Sequence, residues 1–184
     1  MSLPEPEGLT RGQLRSHRLA GRLLVPLLVV LALVVTPLYV LYDVAKVDGP
    51  SMLPTLQSGE YMLITRGWKA PNRGDIVVLH WSHDGITEEI VKRVIGLAGD
   101  TVAVEGDHFT VNGAQESFPH EIFAGPVRVR LTVVVPPDTV FVSGDNRAVS
   151  LDSRFIGPLP LSGIHGRVVA VWAPIDRMRV VPSP

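Results

Sequence analysis

The chain has 184 residues, of which 46% are hydrophobic, and its formal net charge at pH 7 is −1. This length suits one globular domain with a membrane anchor and is too short for two full domains. The near-zero net charge disfavours a broad electrostatic footprint for nucleic acid, and the lack of cysteine excludes disulfides, thiol nucleophiles and cysteine-ligated metals.

The first predicted element is an apolar helix at residues 23–42, which carry no charged side chain. About 20 apolar residues in a helix span a bilayer, so this segment is predicted to be a transmembrane anchor in contact with lipid. Four arginines precede it, at positions 11, 15, 18 and 22. The positive-inside rule then predicts a basic cytoplasmic tail at residues 1–22 and an extracytoplasmic domain at residues 43–184 of a single-pass plasma-membrane protein. The alternative, a cleaved secretory signal peptide, usually has an apolar region of about 7–15 residues and ends in a small-residue cleavage site.

Short β-rich runs separated by turn residues follow the anchor. These runs lie at residues 61–64, 75–79, 89–95, 101–104, 109–111, 127–135, 139–142 and 166–172. Asp84-Gly85 and Asn112-Gly113 are typical hairpin tips, and residues 103–135 are predicted to form a small β extension. The predicted fold class is therefore mainly β, with one N-terminal transmembrane helix followed by an extracytoplasmic antiparallel β-sheet domain.

Ser51 lies just beyond the anchor, in a turn-like segment between Gly49 and Pro54. Gly49 gives the backbone freedom and Pro54 prevents regular strand pairing, so the hydroxyl could be rigidly exposed. In most proteins a serine in such a turn is a capping hydroxyl, and the Gly-x-Ser-x-Gly motif is absent because Leu53 occupies the position of the second glycine. By itself, this segment is compatible with a turn residue or a nucleophile.

Lys92 lies within an apolar predicted strand at residues 90–95. Burial would favour the neutral form of its amine, and a neutral lysine can accept a proton from a serine without histidine or metal. The alternative is a lysine at a strand edge that serves solubility. The strand pattern leaves both interpretations open.

Residues 142–154 form a dense polar loop in an otherwise apolar, β-rich half of the chain. Its charged side chains could form ion pairs that fix the loop, and they are Asp145, Arg147, Asp152 and Arg154. Ser150 or Ser153 could hydrogen-bond a buried amine and orient it. The alternative is a solvated connection built on a Gly-Asp-Asn turn.

Four sequence motifs follow one another along this part of the chain, and three of them overlap the segments described above. They are SMxPTL at residues 51–56, RGDIV at 73–77, KRVIGxxGD at 92–100 and GDNRxxSxDSR at 144–154. In this order, after an N-terminal anchor, they resemble the type I signal peptidases, membrane-bound serine endopeptidases of the Ser-Lys class. The resemblance implies secretory preproteins as substrates, cleaved after small residues of the Ala-x-Ala type, by a monomer that needs no metal or cofactor.

By position, the resemblance also implies residue roles. Ser51 would be the acyl-forming nucleophile, Lys92 the general base, and Ser150 the hydroxyl that holds the lysine amine. The expected structural supports are two ion pairs, Asp145 with Arg93 and Asp152 with Arg154. Shallow pockets for small side chains before the cleavage site would be lined by Val47, Met52 and Val91.

Two features depart from parts of this family. Gly49 occupies a position where some members carry a serine that helps bind the oxyanion, so the backbone N–H of Ser51 must supply most of that stabilisation. One lost donor can cost roughly 2.7–4 kcal/mol, although other members also have glycine there. The short spacing between the motifs at 92–100 and 144–154 predicts a compact member without a large accessory domain.

Three rival interpretations remain at the level of sequence. His80 and His83 could join Asp75 or Asp84 in a histidine or metal site, but their i, i+3 spacing along a strand places the two side chains on opposite faces. A membrane-tethered β module that binds partners without catalysis would leave Ser51 and Lys92 without a chemical role. A self-cleaving Ser-Lys regulator of the repressor type would be expected with a DNA-binding domain in place of the apolar span.

Overall fold

The computed structural model describes residues 11–66, 70–116, 122–125 and 128–182. The chain divides into two compact units, Met1–Val40 and Leu41–Pro184. The described residues of the first unit are helical, and those of the second lie mainly in β-strands.

Helix α1 spans Arg11–Leu41 and contains Pro26 and Pro37. Its segment Leu24–Leu41 has a mean hydropathy of 2.7, and none of these 18 residues is buried within the protein. Such a helix is about 27 Å long, close to the thickness of a bilayer's hydrocarbon core, and by length and composition it fits a transmembrane helix. The helix begins within the predicted tail, of which residues 1–10 lie outside the described residues.

The described parts of the second unit contain twelve strands, one short α-helix and two 3-10 helices, Leu161–Gly163 and Ile175–Arg177. The strands are β1 (Tyr42–Lys46), β2 (Tyr61–Arg66), β3 (Ile76–His83), β4 (Ile86–Leu97), β5 (Thr101–Glu105), β6 (His108–Val111), β7 (Ala114–Gln115), β8 (Arg130–Val134), β9 (Thr139–Ser143), β10 (Leu159–Pro160), β11 (Ile164–Ala173) and β12 (Arg179–Val180), and helix α2 is Ser153–Ile156. The mainly β fold predicted from the sequence is confirmed.

Each predicted strand run overlaps an observed strand, and both hairpin tips are in place. Asp84 and Gly85 connect β3 to β4, and Asn112 and Gly113 connect β6 to β7, with positive φ at all four positions. Part of the predicted run at 127–135 lies outside the described residues, and the strand there starts at Arg130. The sequence patterns did not reveal β1, β7, β10 or β12, which are at most five residues long.

Strand β1 corrects the predicted end of the anchor. Residue 42 was assigned to the apolar span, but α1 ends at Leu41 and Tyr42 is the first residue of β1. Tyr42 pairs with Thr65 of β2 in an antiparallel ladder. Hydrogen bonding to a distant strand therefore overrides the apolar pattern at this position.

The strands of the second unit form two antiparallel sheets among the described residues. The larger has the order β1-β2-β11-β3-β4-β9-β10, with β12 on β11, and the smaller has the order β7-β6-β5-β8. The smaller sheet spans residues 101–134, close to the predicted extension at 103–135. Strand β4 lies between β3 and β9 in the larger sheet, so its side chains are well placed to become buried.

Two buried apolar clusters hold the loop after β1 against the larger sheet and join the two sheets. One buried cluster packs Met52 and Leu56, from the loop after β1, against Met62, Ile76 and Val168 of the larger sheet. A second cluster contains residues of both sheets, with the rings of Phe109 and Phe141 6.0 Å apart edge-to-face. The loop that carries Ser51 is thus fixed to the sheet by its own apolar side chains.

Candidate active site

Ser51 lies in the loop between β1 and β2, which closes on itself at its base. Val47 N–H donates to Glu60 C=O at 2.8 Å, and Gly59 N–H donates to Val47 C=O at 2.9 Å. Arg179, the first residue of β12, also holds this loop. Its guanidinium pairs with the buried Glu60 at 2.8 Å and donates to Thr55 C=O at 2.6 Å. The serine is therefore held by a loop with few degrees of freedom.

The polar loop after β9 contacts the backbone on either side of the Ser51 hydroxyl. Asn146 N–H donates to Ser51 C=O at 3.0 Å, and the Asn146 side-chain amide donates to Pro50 C=O at 3.1 Å. At Gly144 a Cβ atom would stand 2.4 Å from Ser51 C=O and 2.4 Å from Ser150 Oγ. Only a glycine permits this close approach of the two loops.

Lys92 reaches Ser51 from β4. Its Nζ donates to Ser51 Oγ at 3.0 Å and to Val91 C=O at 3.0 Å, and the residue is 4% exposed. Burial lowers the pKa of Lys92 to about 8, although the nearby charges of Asp152 and Asp145 favour the protonated form. The amine is thus a buried base within hydrogen-bond reach of a serine hydroxyl, and a large fraction of it is neutral near pH 8.

Arg93, the next residue on β4, binds Asp145 through two hydrogen bonds. Arg93 Nε donates to Asp145 Oδ1 at 2.8 Å and Nη2 donates to Oδ2 at 2.6 Å, while Nη1 donates to Gly74 C=O at 2.7 Å. Thr55 Oγ1 also donates to Asp145 Oδ2, at 2.5 Å. Asp145 therefore ties the serine loop to β4, and sequence reasoning missed Thr55 although it belongs to the motif at residues 51–56.

Asp152 pairs with Arg154 at the other end of the polar loop. Arg154 Nε donates to Asp152 Oδ1 at 2.8 Å and Nη2 donates to Oδ2 at 2.9 Å, with both side chains fully buried. Burial alone would raise the pKa of the Asp152 carboxyl, but hydrogen bonds and the charge of Arg154 hold it below its ordinary value. Ser143 Oγ and Gly144 N–H donate to the same carboxylate at 2.9 and 3.1 Å.

Ser150 is buried next to these groups, but it hydrogen-bonds Gly144 where a bond to the Lys92 amine was expected. Its hydroxyl oxygen accepts a hydrogen bond from Gly144 N–H at 3.2 Å. The side-chain hydrogen bond of Lys92 among the described residues goes to Ser51, and its other bond goes to the backbone of Val91. Ser150 Oγ and the Ser51 carbonyl oxygen thus both lie close to Gly144.

Arg147 also differs from expectation, since it pairs outside its own loop. It is fully buried, and its Nη2 donates to both carboxylate oxygens of Glu116 at 2.7 and 3.0 Å. Its Nη1 donates to Asp107 C=O at 2.9 Å, and its guanidinium lies 4.3 Å from the centroid of the Phe109 ring. The polar loop is thereby fastened to the smaller sheet, a role that the order of residues in the chain did not reveal.

A cleft of about 470 Å³ opens beside Ser51 and Lys92. One wall is formed by residues 45–49 and the other by residues 88–92. Three residues expected from the sequence to contact substrate line it, and they are Val47, Met52 and Val91. Most of the lining residues therefore come from two short stretches of the chain.

The histidines of the rival interpretation do not lie together. His83 stacks on Trp81 with the ring centroids 4.0 Å apart, whereas His80 Nε2 lies 3.8 Å from Glu89 Oε1. Asp75 is buried and lies 3.6 Å from the guanidinium of Arg167. The rival group built on His80, His83 and Asp75 is therefore not assembled.

Comparisons with known proteins identify relatives over most of the chain. A model of the family described as "Signal peptidase, peptidase S26" matches residues 20–173. The chain is 34% identical over 152 residues to signal peptidase I of Leptolyngbya laminosa, covering 75% of this chain and 72% of the relative. It is 36% identical over 152 residues to signal peptidase I P of Bacillus subtilis subsp. natto, covering 76% and 81%.

Relatives also occur outside bacteria, and a solved structure matches part of the chain. The chain is 37% identical over 141 residues to mitochondrial ATP-independent inner membrane protease subunit 1b of Arabidopsis thaliana, covering 74% of this chain and 73% of the relative. A signal peptidase I structure from Enterococcus faecalis V583 is 27% identical, with a TM-score of 0.44, covering 54% of this chain and 97% of the other. The family match and the relatives above 30% identity confirm the resemblance of the sequence, and the chain belongs to the signal peptidase family, peptidase S26.

Proposed function

We propose that this protein is a membrane-anchored serine endopeptidase that removes signal peptides from secretory preproteins with Ser51 and Lys92. The observation that carries the proposal is the 3.0 Å distance between Lys92 Nζ and Ser51 Oγ at a lysine that is 4% exposed. A nucleophile within hydrogen-bond reach of a buried base is the arrangement that covalent catalysis by serine requires.

The reaction begins when neutral Lys92 accepts the proton of Ser51 Oγ as this oxygen attacks the scissile carbonyl carbon. A tetrahedral intermediate forms and collapses, the C–N bond breaks, and the leaving amine takes the proton from the lysine ammonium. The signal peptide is then held as an ester on Ser51. Lys92 next takes a proton from a water molecule as this water attacks the ester carbonyl carbon. The bond from that carbon to Ser51 Oγ then breaks, the signal peptide leaves with a free carboxyl group, and the lysine ammonium returns its proton to Ser51 Oγ.

Backbone donors stabilise the oxyanion in this proposal. Gly49 has no side-chain donor, and its φ of 85° favours glycine. The N–H of Ser51 therefore contributes most of the stabilisation, in a loop held by Asn146 and by the apolar side chain of Met52.

The two ion pairs act as positioning groups rather than as proton carriers. Asp145 joins Arg93, next to the base, to Thr55 in the loop of the nucleophile. Asp152 and Arg154 hold Gly144, whose backbone lies against the Ser51 carbonyl. In this proposal Ser150 helps to position Gly144, and through it the loop of the nucleophile.

The substrate binds as an extended segment between residues 45–49 and 88–92. Main-chain hydrogen bonds to these stretches supply affinity, as in other cases of strand addition. Val47, Met52 and Val91 line this cleft, and we expect their side chains to favour small substrate residues, as in Ala-x-Ala sequences.

The apolar segment Leu24–Leu41 anchors the enzyme in lipid, with the N-terminus in the cytoplasm and the catalytic unit outside. This topology places the cleft on the side of the membrane where signal peptides emerge. Both members of the dyad come from one chain, so the proposed chemistry needs no second copy, and we expect the enzyme to act as a monomer.

Cleavage of a secretory preprotein by the full chain in detergent tests the function. We expect the wild-type protein to release a mature product whose N-terminus, read by mass spectrometry, follows an Ala-x-Ala sequence. Ser51→Ala should release none. A wild-type protein that binds the preprotein without cutting it would instead favour the alternative, a membrane-tethered binding module.

A further inference from the structure

Three adjacent strands of the larger sheet bring metal-binding side chains to one place. His80 lies on β3, Glu89 lies directly opposite it on β4, and His165 lies on β11 at a register shift opposite β3. One ligand atom from each of the three lies within 4.8 Å of the other two. His80 and Glu89 face each other across one hairpin, and the pairing of β11 with β3 brings His165 to them from a distant part of the sequence.

The distances are close to those of a coordinated ion. His80 Nε2 lies 3.8 Å from Glu89 Oε1, and the His80 and His165 rings meet edge-to-face at 5.8 Å. Tetrahedral bonds of about 2.0–2.1 Å place neighbouring ligand atoms roughly 3.4 Å apart, so small side-chain rotations suffice to bind an ion. The His80, Glu89 and His165 side chains are 48%, 44% and 30% exposed, which leaves a path for entry.

A carboxylate behind His165 provides a second, independent feature. Asp43 Oδ2 lies 3.2 Å from His165 Nε2. Metal-binding imidazoles usually have such a carboxylate or carbonyl neighbour, which orients the ring and raises its basicity.

We propose that His80, Glu89 and His165 form a binding site for a divalent transition ion of the zinc class. Two imidazoles and one carboxylate suit zinc, which commonly takes three protein ligands and one open position. Magnesium and calcium prefer all-oxygen ligand sets and bind here more weakly.

The site adjoins the peptide cleft without entering the proposed chemistry. Glu89 lines the cleft and precedes Lys92 by three residues on β4, whereas the Ser51 hydroxyl is held by Lys92. A bound ion would fix the Glu89 carboxylate at the cleft wall and join β3, β4 and β11 at one point.

Titration of the full chain in detergent tests this site without any substrate, so its outcome is independent of the proposed peptidase activity. Metal-free protein is titrated with zinc chloride by isothermal calorimetry, and the bound metal is counted by mass spectrometry after dialysis. We expect one zinc per chain, no comparable binding of magnesium, and a loss of affinity of about tenfold or more in His80→Gln, Glu89→Gln and His165→Gln.

His108→Gln is the matched control, because His108 is an exposed histidine whose Nε2 lies 3.4 Å from Asp107 Oδ1 on the smaller sheet. It should bind zinc like the wild type, and all variants should unfold at the wild-type temperature when zinc is absent. No zinc binding by the wild type, unchanged affinity in the three ligand variants, or an equal loss in His108→Gln would each overturn the proposal.

Discussion

Lys92 and Arg93 are consecutive cations on β4, almost equally buried at 4% and 5% exposure, yet their surroundings differ in kind. Arg93 faces a carboxylate, Asp145, with two short hydrogen bonds. Lys92 donates to a hydroxyl and a carbonyl, which carry no charge. Burial without a directly paired anion lowers the pKa of an amine, whereas a paired guanidinium remains a fixed charge.

The contrast shows how one strand can carry both the proposed base, Lys92, and a structural support, Arg93. The charges of Asp152 and Asp145 are near enough to favour protonation of Lys92, but each of these carboxylates is bound to its own arginine. The ion pairs thus rigidify the loops around the amine while the amine itself remains able to lose its proton.

The largest expected effect comes from making Lys92 a permanent cation. Lys92→Arg should reduce cleavage of a preprotein by about 10⁴-fold or more, because arginine stays protonated and cannot accept the Ser51 proton. Initial rates in detergent measure the effect, with Ser51→Ala as the reference for a lost nucleophile and circular dichroism as the check on folding. A folded Lys92→Arg protein with normal turnover would refute the dyad.

Removing the paired cation should instead affect the free energy of unfolding. Arg93→Met leaves Asp145 buried without its main partner, and breaking such a pair costs about 3–5 kcal/mol. Thermal unfolding measures the loss. Arg130→Met removes a highly exposed partner of Glu105 and should change the melting temperature little, so equal shifts in the two variants would contradict the role assigned to Arg93.

A smaller effect is expected where Asp145 meets the loop of the nucleophile. Thr55→Val keeps the shape of the side chain and removes the hydrogen bond to Asp145 Oδ2, which is worth about 1.5–3 kcal/mol for a charged acceptor. We expect lower stability and a reduced kcat with little change in KM, since the variant leaves the cleft walls intact. A raised KM at constant kcat would show that Thr55 acts on substrate binding instead.

The smallest expected effect is a gradual change of the cleavage rate with pH, which reports the protonation of Lys92. The pKa of Lys92 is lowered to about 8, so the neutral base is scarce below this value and its fraction grows as pH rises. The rate constant kcat/KM should therefore increase about tenfold per pH unit between roughly pH 6 and 7 and level off above pH 8. A rate independent of pH over this window would exclude Lys92 as the group that takes the proton.

Much of the fold could be predicted because its signals are local. The hairpin tip at Asp84 and Gly85 and the apolar helix depend on residues close together in the chain. Strand β1 was missed because its five residues include Asp43 and Lys46, and what makes it a strand is the ladder to β2.

The candidate site was less predictable than the motifs that mark it. Ser51 and Lys92 were expected to meet, but the partners of the supporting residues were not all foreseen. Ser150 Oγ accepts a hydrogen bond from Gly144 N–H, and Arg147 pairs with Glu116, which lies in none of the motifs. A motif fixes which residues are present, whereas their partners depend on how the two sheets and the loops pack.

The sequence by itself determined the apolar helix, the β-rich unit, the ordered motifs and the family to which the chain belongs. The tertiary structure alone decided that Lys92 Nζ lies 3.0 Å from Ser51 Oγ and that the amine is shielded from water. Periodicity and turn chemistry act over a few residues, whereas a lowered pKa requires burial, and burial depends on strands and loops that are distant in the chain.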